Sequence, residues 1–399
     1  MEIVITHLPI ASFSYYEWLL LGLYELERKG EIRLKFKINI LSRIVLLWCD
    51  NKYISGGLRR LINDYTRNPS YTLRGYVIFK EGADIVKRSF AYDAADAPFI
   101  YEDSLLNIVD VYFKMQCPKS IDREGFPLNK DVRIPYCDAK IIKDHSRWNK
   151  LSGKRRECQN LFTNVDKVKP AMVGPRRLAW SCKYRALKRG YDMMVTSVAN
   201  NKEGFVMAYF GNSKGPIPSD NVCYPDFNWE SDIVAYYDGK INHPNEKRAK
   251  AVKLINSIQG CGNDARIIHV GHSDSGGGVS DLFIPYNEFG NHVSKFMYNL
   301  NISGYRMSIP NRFIESFMVG TGIVTDKLFV KWYKPFGASV VESINMGYLL
   351  DEDVDWIGFK RDLEKLPQIT SNDVLTEYYE KWTPIALAEY VISVLTSRE

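Results

Sequence analysis

The residues with the clearest chemistry lie between Ser308 and Gly337, in the run SIPNRFIESFMVGTGIVTDKLFVKWYKPFG. Asn311 follows Pro310 and suits a helix N-cap, while Gly320 and Gly322 end a helix of about two turns. A buried strand, GIVTD, comes next. A helix that starts at the open edge of a sheet presents free N–H groups and the positive end of its dipole, which favours a phosphate there. Arg312 adds a permanent positive charge. Glu315, one turn in, is placed to accept hydrogen bonds from ribose hydroxyls, although the same position suits a solvated helix residue. Taken together, these residue types at this spacing fit a nucleotide diphosphate.

Other candidates stand at the ends of apolar runs. FVMAYFGNSKG turns at Gly211, Asn212, Ser213 and Lys214, where backbone amides and the Asn212 and Lys214 side chains could meet phosphates. Gly and Asn also simply make turns. In KRSFAYDAADAPF, Asp93 and Asp96 follow a strand, at the carboxyl edge where open α/β sheets bind ligands. Asp93 is the expected general base that takes a proton from an attacking hydroxyl, with loop capping as the alternative for both carboxylates. His7 ends the first strand and faces the same way, suited to acceptor binding or proton transfer. Asp144 and His145 form an acid–base pair only on paper, because adjacent side chains seldom converge.

The elements that must position these groups alternate. EIVIT, IRLKFKI, RIVLLWC, GYVIFK, KRSFAYD and IVDVYFKM read as strands, with helices near 15–28, 55–65 and 101–107, a pattern that gives a mostly parallel sheet flanked by helices. GPRRLAWSCKYRALKRG holds the next helical stretch. After the polar junction VANNKEG a second unit begins, with FVMAYFGNSKG as its first strand. NEKRAKAVKLINSI follows as a helix with a stripe at Ala249, Val252, Ile255 and Ile258, and ARIIHVG as the next strand. NEFGNHVSKFMYNL and IPNRFIESFMVGTGIVTD each read as helix then strand. The expected architecture is α/β, two Rossmann-like domains at 1–200 and 201–375 facing a cleft. A helical tail at 376–399, interrupted at Pro384, returns to the first domain.

The Arg312–Asp326 stretch resembles the donor segment of GT-B glycosyltransferases, and most closely the exostosin-like ones. Those have an Arg, a Glu on a short helix, a small residue with Gly-Thr or Gly-Cys, and a hydrophobic strand. Arg312, Glu315, Gly320, Thr321 and the strand Ile323 to Thr325 take those places here, and the upstream SKFMYNL is similar to the strand that precedes this helix. Ile323 stands where many related enzymes have a second Glu. The resemblance implies sugar transfer from a nucleotide diphosphate, a UDP-sugar foremost, to a glycan or lipid-linked acceptor in surface polysaccharide synthesis. It also implies that Arg312, Glu315, Gly320 and Thr321 line the donor, with Asn311, the expected N-cap of their helix, beside them.

Composition excludes several other classes. Hydrophobic residues are 45% and charged residues 25%, as in folded globular chains. The opening MEIVITHLPIASFSYYEWLLLGLYELERKG lacks a basic leader and reads as strand then helix, and no run approaches the ~18 apolar residues of a membrane span. Seven cysteines, none in CxxC spacing, suit reduced thiols, hence a cytoplasmic setting. Net charge is +6, yet Lys140 to Arg189 alone carries 15 Lys and Arg against Asp144, Glu157 and Asp166. That block suits an anionic membrane face, or only a solvated surface. A polyanion-binding module using it with Trp148, Phe162, Trp180 and Tyr184 is the rival reading, but no nucleic-acid-binding signature accompanies it, so no nucleic-acid partner is expected. No cofactor is expected either, because GxGxxG follows neither Rossmann start. Nor is a metal expected: the literal DxD at Asp351 and Asp353 sits in an acidic turn, and Cys261, His269 and His272 match no standard zinc spacing.

Overall fold

A computed structural model describes residues 1–9, 13–39, 72–94, 103–119, 164–175, 178, 179, 181–195, 202–211, 244–258, 262–271, 282–285, 288–302, 309–326, 328, 330–338, 340–344 and 356–397. The expected strand RIVLLWC, the expected helix near 55–65 and the junction at 200 lie outside these residues.

The first half builds a six-stranded mixed sheet, ordered β2-β1-β3-β4-β5-β7. Its strands are β1 (Glu2–His7), β2 (Arg33–Phe36), β3 (Thr72–Glu81), β4 (Asp84–Asp93), β5 (Val111–Lys114) and β7 (Val168–Pro170); the short β6 (Cys117–Pro118) lies apart. β3 runs against both its neighbours, so the mostly parallel sheet expected for this half is interrupted in its centre. The cause is local. Glu81 pairs with Asp84 across two residues, and Gly82 takes φ +62°, the left-handed conformation that a two-residue hairpin turn requires. Helix α1 (Glu17–Arg28) buries Trp18, Leu19, Leu20, Leu21, Leu23 and Leu26, almost its whole circumference, as befits a helix covered on both sides. Its first residue, the fully buried Glu17, accepts hydrogen bonds from the backbone N–H groups of Leu178 (2.9 Å) and Ser181 (3.0 Å). This carboxylate fixes the irregular segment that leads into α2 (Tyr184–Val195), a helix that starts later than the sequence pattern predicts.

The second half builds a wholly parallel sheet from β8 (Gly204–Gly211), β9 (Asp264–Gly271), β10 (Leu282–Pro285), β11 (Phe296–Asn301), β12 (Gly322–Thr325) and β14 (Val341–Ser343). Numbered within this sheet, the strands lie in the spatial order 3-2-1-4-5-6, the doubly wound Rossmann-like order. The helices of this half are α3 (Pro244–Ser257), α4 (Phe289–Ser294), α5 (Arg312–Phe317), α6 (Trp356–Glu364) and α7 (Ser371–Glu377). The topology switches between β8 and β11, whose carboxyl ends are Gly211 and Asn301. Open α/β sheets hold ligands outside that point.

A π-helical turn at Tyr378–Trp382 leads into α8 (Pro384–Thr396), which lies against α1, β3 and β4. Pro384 begins this helix rather than interrupting one: it occupies the first turn, where its missing N–H costs nothing, and the Thr383 hydroxyl accepts from Ala386 N–H at 3.2 Å. Three further ties link the halves. β6 pairs with β13 (Val330–Lys331), Gln116 exchanges two hydrogen bonds with the Ile309 backbone at 2.9 and 3.0 Å, and the Asn311 amide donates to the Gly174 carbonyl. Among the described residues no helix is long and apolar enough to cross a membrane.

Candidate functional site

The parallel sheet positions its candidate residues through α5. Phe313 and Phe317, one turn apart, pack against Trp332, Phe336 and Trp382, with ring centroids 5.7 to 6.4 Å apart. Ser316 faces the sheet, where its hydroxyl oxygen accepts from the buried Asn299 amide at 3.0 Å. With those positions committed to the core, Arg312 and Glu315, three apart, share a neighbouring face of the helix. Arg312 is half-buried and Glu315 is 8% exposed. Gly320, at φ +70°, reverses the chain into β12, and a Cβ there would stand 2.8 Å from the Ser371 side chain.

Two expected donor ligands turn out to be occupied otherwise. Asn311 stands at the head of α5 in helical conformation and makes no side-chain cap, because its amide reaches instead to Gly174 in the first half. Thr321 is fully buried. Its hydroxyl donates toward the carbonyls of Val293 (2.9 Å) and Phe296 (3.0 Å) and accepts from the Lys202 ammonium (3.1 Å), so it is committed within the fold. Lys202 also bonds the Ser294 carbonyl at 2.8 Å, and burial lowers its pKa to about 8. This cluster clamps the end of α4 to the start of β12. Asn212 and Lys214 lie outside the described residues, as does Asp96.

Asn301 and Thr325 end β11 and β12 side by side, with an Asn301 amide to Thr325 hydroxyl bond of 3.0 Å. The Asn301 carbonyl oxygen is buried with no partner. Asp326 follows, 4% exposed, 3.3 Å from the Thr325 hydroxyl. The sequence reading missed this polar row at the carboxyl edge, though its signal was present: Asn, Thr and Asp each close an apolar run.

In the first sheet Asp93 does end β4, but it is 1% exposed. Its carboxylate holds the Lys114 ammonium at 3.0 Å and accepts from the Tyr112 hydroxyl at 2.8 Å. This geometry does not meet the expectation of a base facing an acceptor; the group acts as counter-ion to a lysine that is itself fully buried. His7 ends β1 opposite Arg74, after a bulge that breaks the register at Ile5. Burial, assisted by the Arg74 charge, drives the imidazole pKa from 6.5 down to about 4. The fold therefore keeps His7 neutral at a pH where the unfolded chain takes up a proton. Its contribution to stability is complete above pH 6.5 and is lost as the pH falls toward 4. Urea titrations across that window should show His7→Gln losing less stability than the wild type, by about 1–2 kcal/mol after allowing for the partly exposed ring. Parallel curves would show that the imidazole is not held neutral.

Compared with protein-family models, curated proteins and solved structures, the chain matches none.

Proposed function

We propose that the chain is a GT-B-type glycosyltransferase that moves a sugar from a nucleotide diphosphate, a UDP-sugar by family resemblance, to a glycan or lipid-linked acceptor. The observation that carries this reading is the wholly parallel sheet in 3-2-1-4-5-6 order, with Arg312 and Glu315 on the helix that follows β11 at its topological switch. In this reading the donor lies along the carboxyl edge of that sheet. Glu315 accepts from the ribose hydroxyls, and Arg312 faces the diphosphate. As the bond from the anomeric carbon to the diphosphate lengthens, negative charge gathers on the departing oxygen, and a fixed guanidinium stabilises it without reorganising. The acceptor hydroxyl attacks from the side of the first sheet. With Asp93 held by Lys114, Asp96 is the remaining carboxylate candidate for the proton of the attacking hydroxyl. The surplus of Lys and Arg between residues 140 and 189 fits an acceptor carried on an anionic membrane face.

Thermal-shift and calorimetric titrations with UDP, GDP, CDP, ADP and dTDP, with and without chelator, test the reading. One nucleotide should stabilise the protein selectively and independently of chelator. Glu315→Ala should weaken that nucleotide by about 1.5–3 kcal/mol, the value of a hydrogen bond to a charged group. Indifference to every nucleotide would overturn the proposal, and unchanged affinity in a folded Glu315→Ala variant would remove Glu315 from the site.

A further inference from the structure

The carboxyl edge of the first sheet carries two cationic or protonatable side chains whose polar atoms are buried without a partner. These are His7 Nε2 and Arg74 Nε. The two residues are cross-strand partners of the antiparallel β1–β3 pair, so their side chains leave the same face of the sheet. Among the described residues no carboxylate stands within ion-pair distance of either. Asp93, at the carboxyl end of β4, pairs with Lys114 instead. At the opposite end of β1, Glu2 is held by Lys35. Lys37, exposed just beyond β2, lies 3.4 Å from the hydroxyl of Tyr76, two residues along β3 from Arg74.

A guanidinium and an imidazole set side by side with buried, unbonded nitrogens each lose solvation, and neither compensates the other. The arrangement is favourable only when an anion with several acceptor oxygens joins them. Arg then supplies planar, charge-assisted N–H donors, and the imidazole N–H supplies one more. We infer that His7 and Arg74 form a binding site for a phosphate group at the carboxyl edge of the first sheet. Calling that phosphate part of the acceptor rests on the transferase reading, whereas the site itself rests on the unbonded pair. The chemistry fits both a soluble phosphorylated glycan and the phosphate of a lipid carrier.

Imidazole NMR on full-length protein tests the site directly, since the chain has only six histidines and His7→Gln assigns the signal. In phosphate-free buffer His7 should titrate near its low value of about 4. Saturating inorganic phosphate should raise the midpoint by about one pH unit or more, because a bound anion favours the imidazolium. Arg74→Gln should weaken phosphate on the order of tenfold or more, and Arg74→Lys should recover part of the loss. Sedimentation with phosphatidic acid vesicles, against phosphatidylcholine alone, separates the sources. Loss of vesicle binding in Arg74→Gln assigns a lipid phosphate; phosphate binding without vesicle binding assigns a soluble one. A His7 midpoint that ignores phosphate, or an Arg74→Gln variant with wild-type phosphate affinity, overturns the inference. Neither readout involves Glu315 or a nucleotide, so failure here and failure of the transferase reading remain distinct.

Discussion

Asp93→Ala should destabilise the protein by about 3–5 kcal/mol in urea denaturation, because it removes the counter-ion of an ammonium that the fold has taken out of water. The side chains of Lys114 and Asp93 are 0% and 2% exposed, so solvent cannot take over the lost pairing. Replacing both together, Asp93→Leu with Lys114→Met, should recover much of that loss, since an apolar pair of similar volume removes both desolvation costs at once, with about 1–3 kcal/mol remaining because the buried Tyr112 hydroxyl loses its carboxylate acceptor. A carboxylate serving only as a proton acceptor would behave differently. Asp93→Ala would then fold as well as wild type, and that outcome would restore Asp93 as a candidate base.

Gly22→Ala is the second large effect. A Cβ at this position would stand 1.9 Å from the Pro384 carbonyl oxygen and 2.9 Å from the Ala388 Cβ, where α1 and α8 cross. The obstacle is backbone, which no rotamer change relieves, so the helices must move apart along a fully packed contact. A loss of about 2–4 kcal/mol is expected, in the range of other overpacked or strained core substitutions. Limited proteolysis should show α8 released first. A variant as stable and as resistant as wild type would mean that the crossing adjusts freely.

Much of the second sheet was legible in the sequence, because a wholly parallel sheet writes itself as alternating apolar runs and striped helices. FVMAYFG, ARIIHVG, FMYNLN and GIVT all occur as strands in chain order. In the first sheet GYVIFK and KRSFAYD were equally visible as strands, but not their direction. Only the Gly82 turn between them carried it, and the surrounding alternation outweighed that cue. The candidate site divides in the same way. Arg312 and Glu315 were legible because helix spacing alone sets their common face. Thr321 was not: the carbonyls that take its hydroxyl, Val293 and Phe296, belong to a different helix and strand. Nor was Asp93, whose partner Lys114 is named only by the register of β4 against β5. Roles that depend on which strands are neighbours are set by topology, and a linear pattern does not contain them.

The packing of α8 on α1 also dictates an order of events during synthesis. The Trp18 indole donates to the carbonyl of Trp382 at 3.1 Å, a contact spanning 364 residues. At about 5–20 residues per second, the ribosome delivers the far side of that contact roughly 20–70 s after the near side. Throughout that interval the side of α1 that meets α8 lacks its cover. The packing on the first sheet is therefore completed late, and contacts of such long sequence separation make folding slow. Until helix 384–396 emerges, the nascent chain leaves exposed the apolar side of α1 that this helix covers.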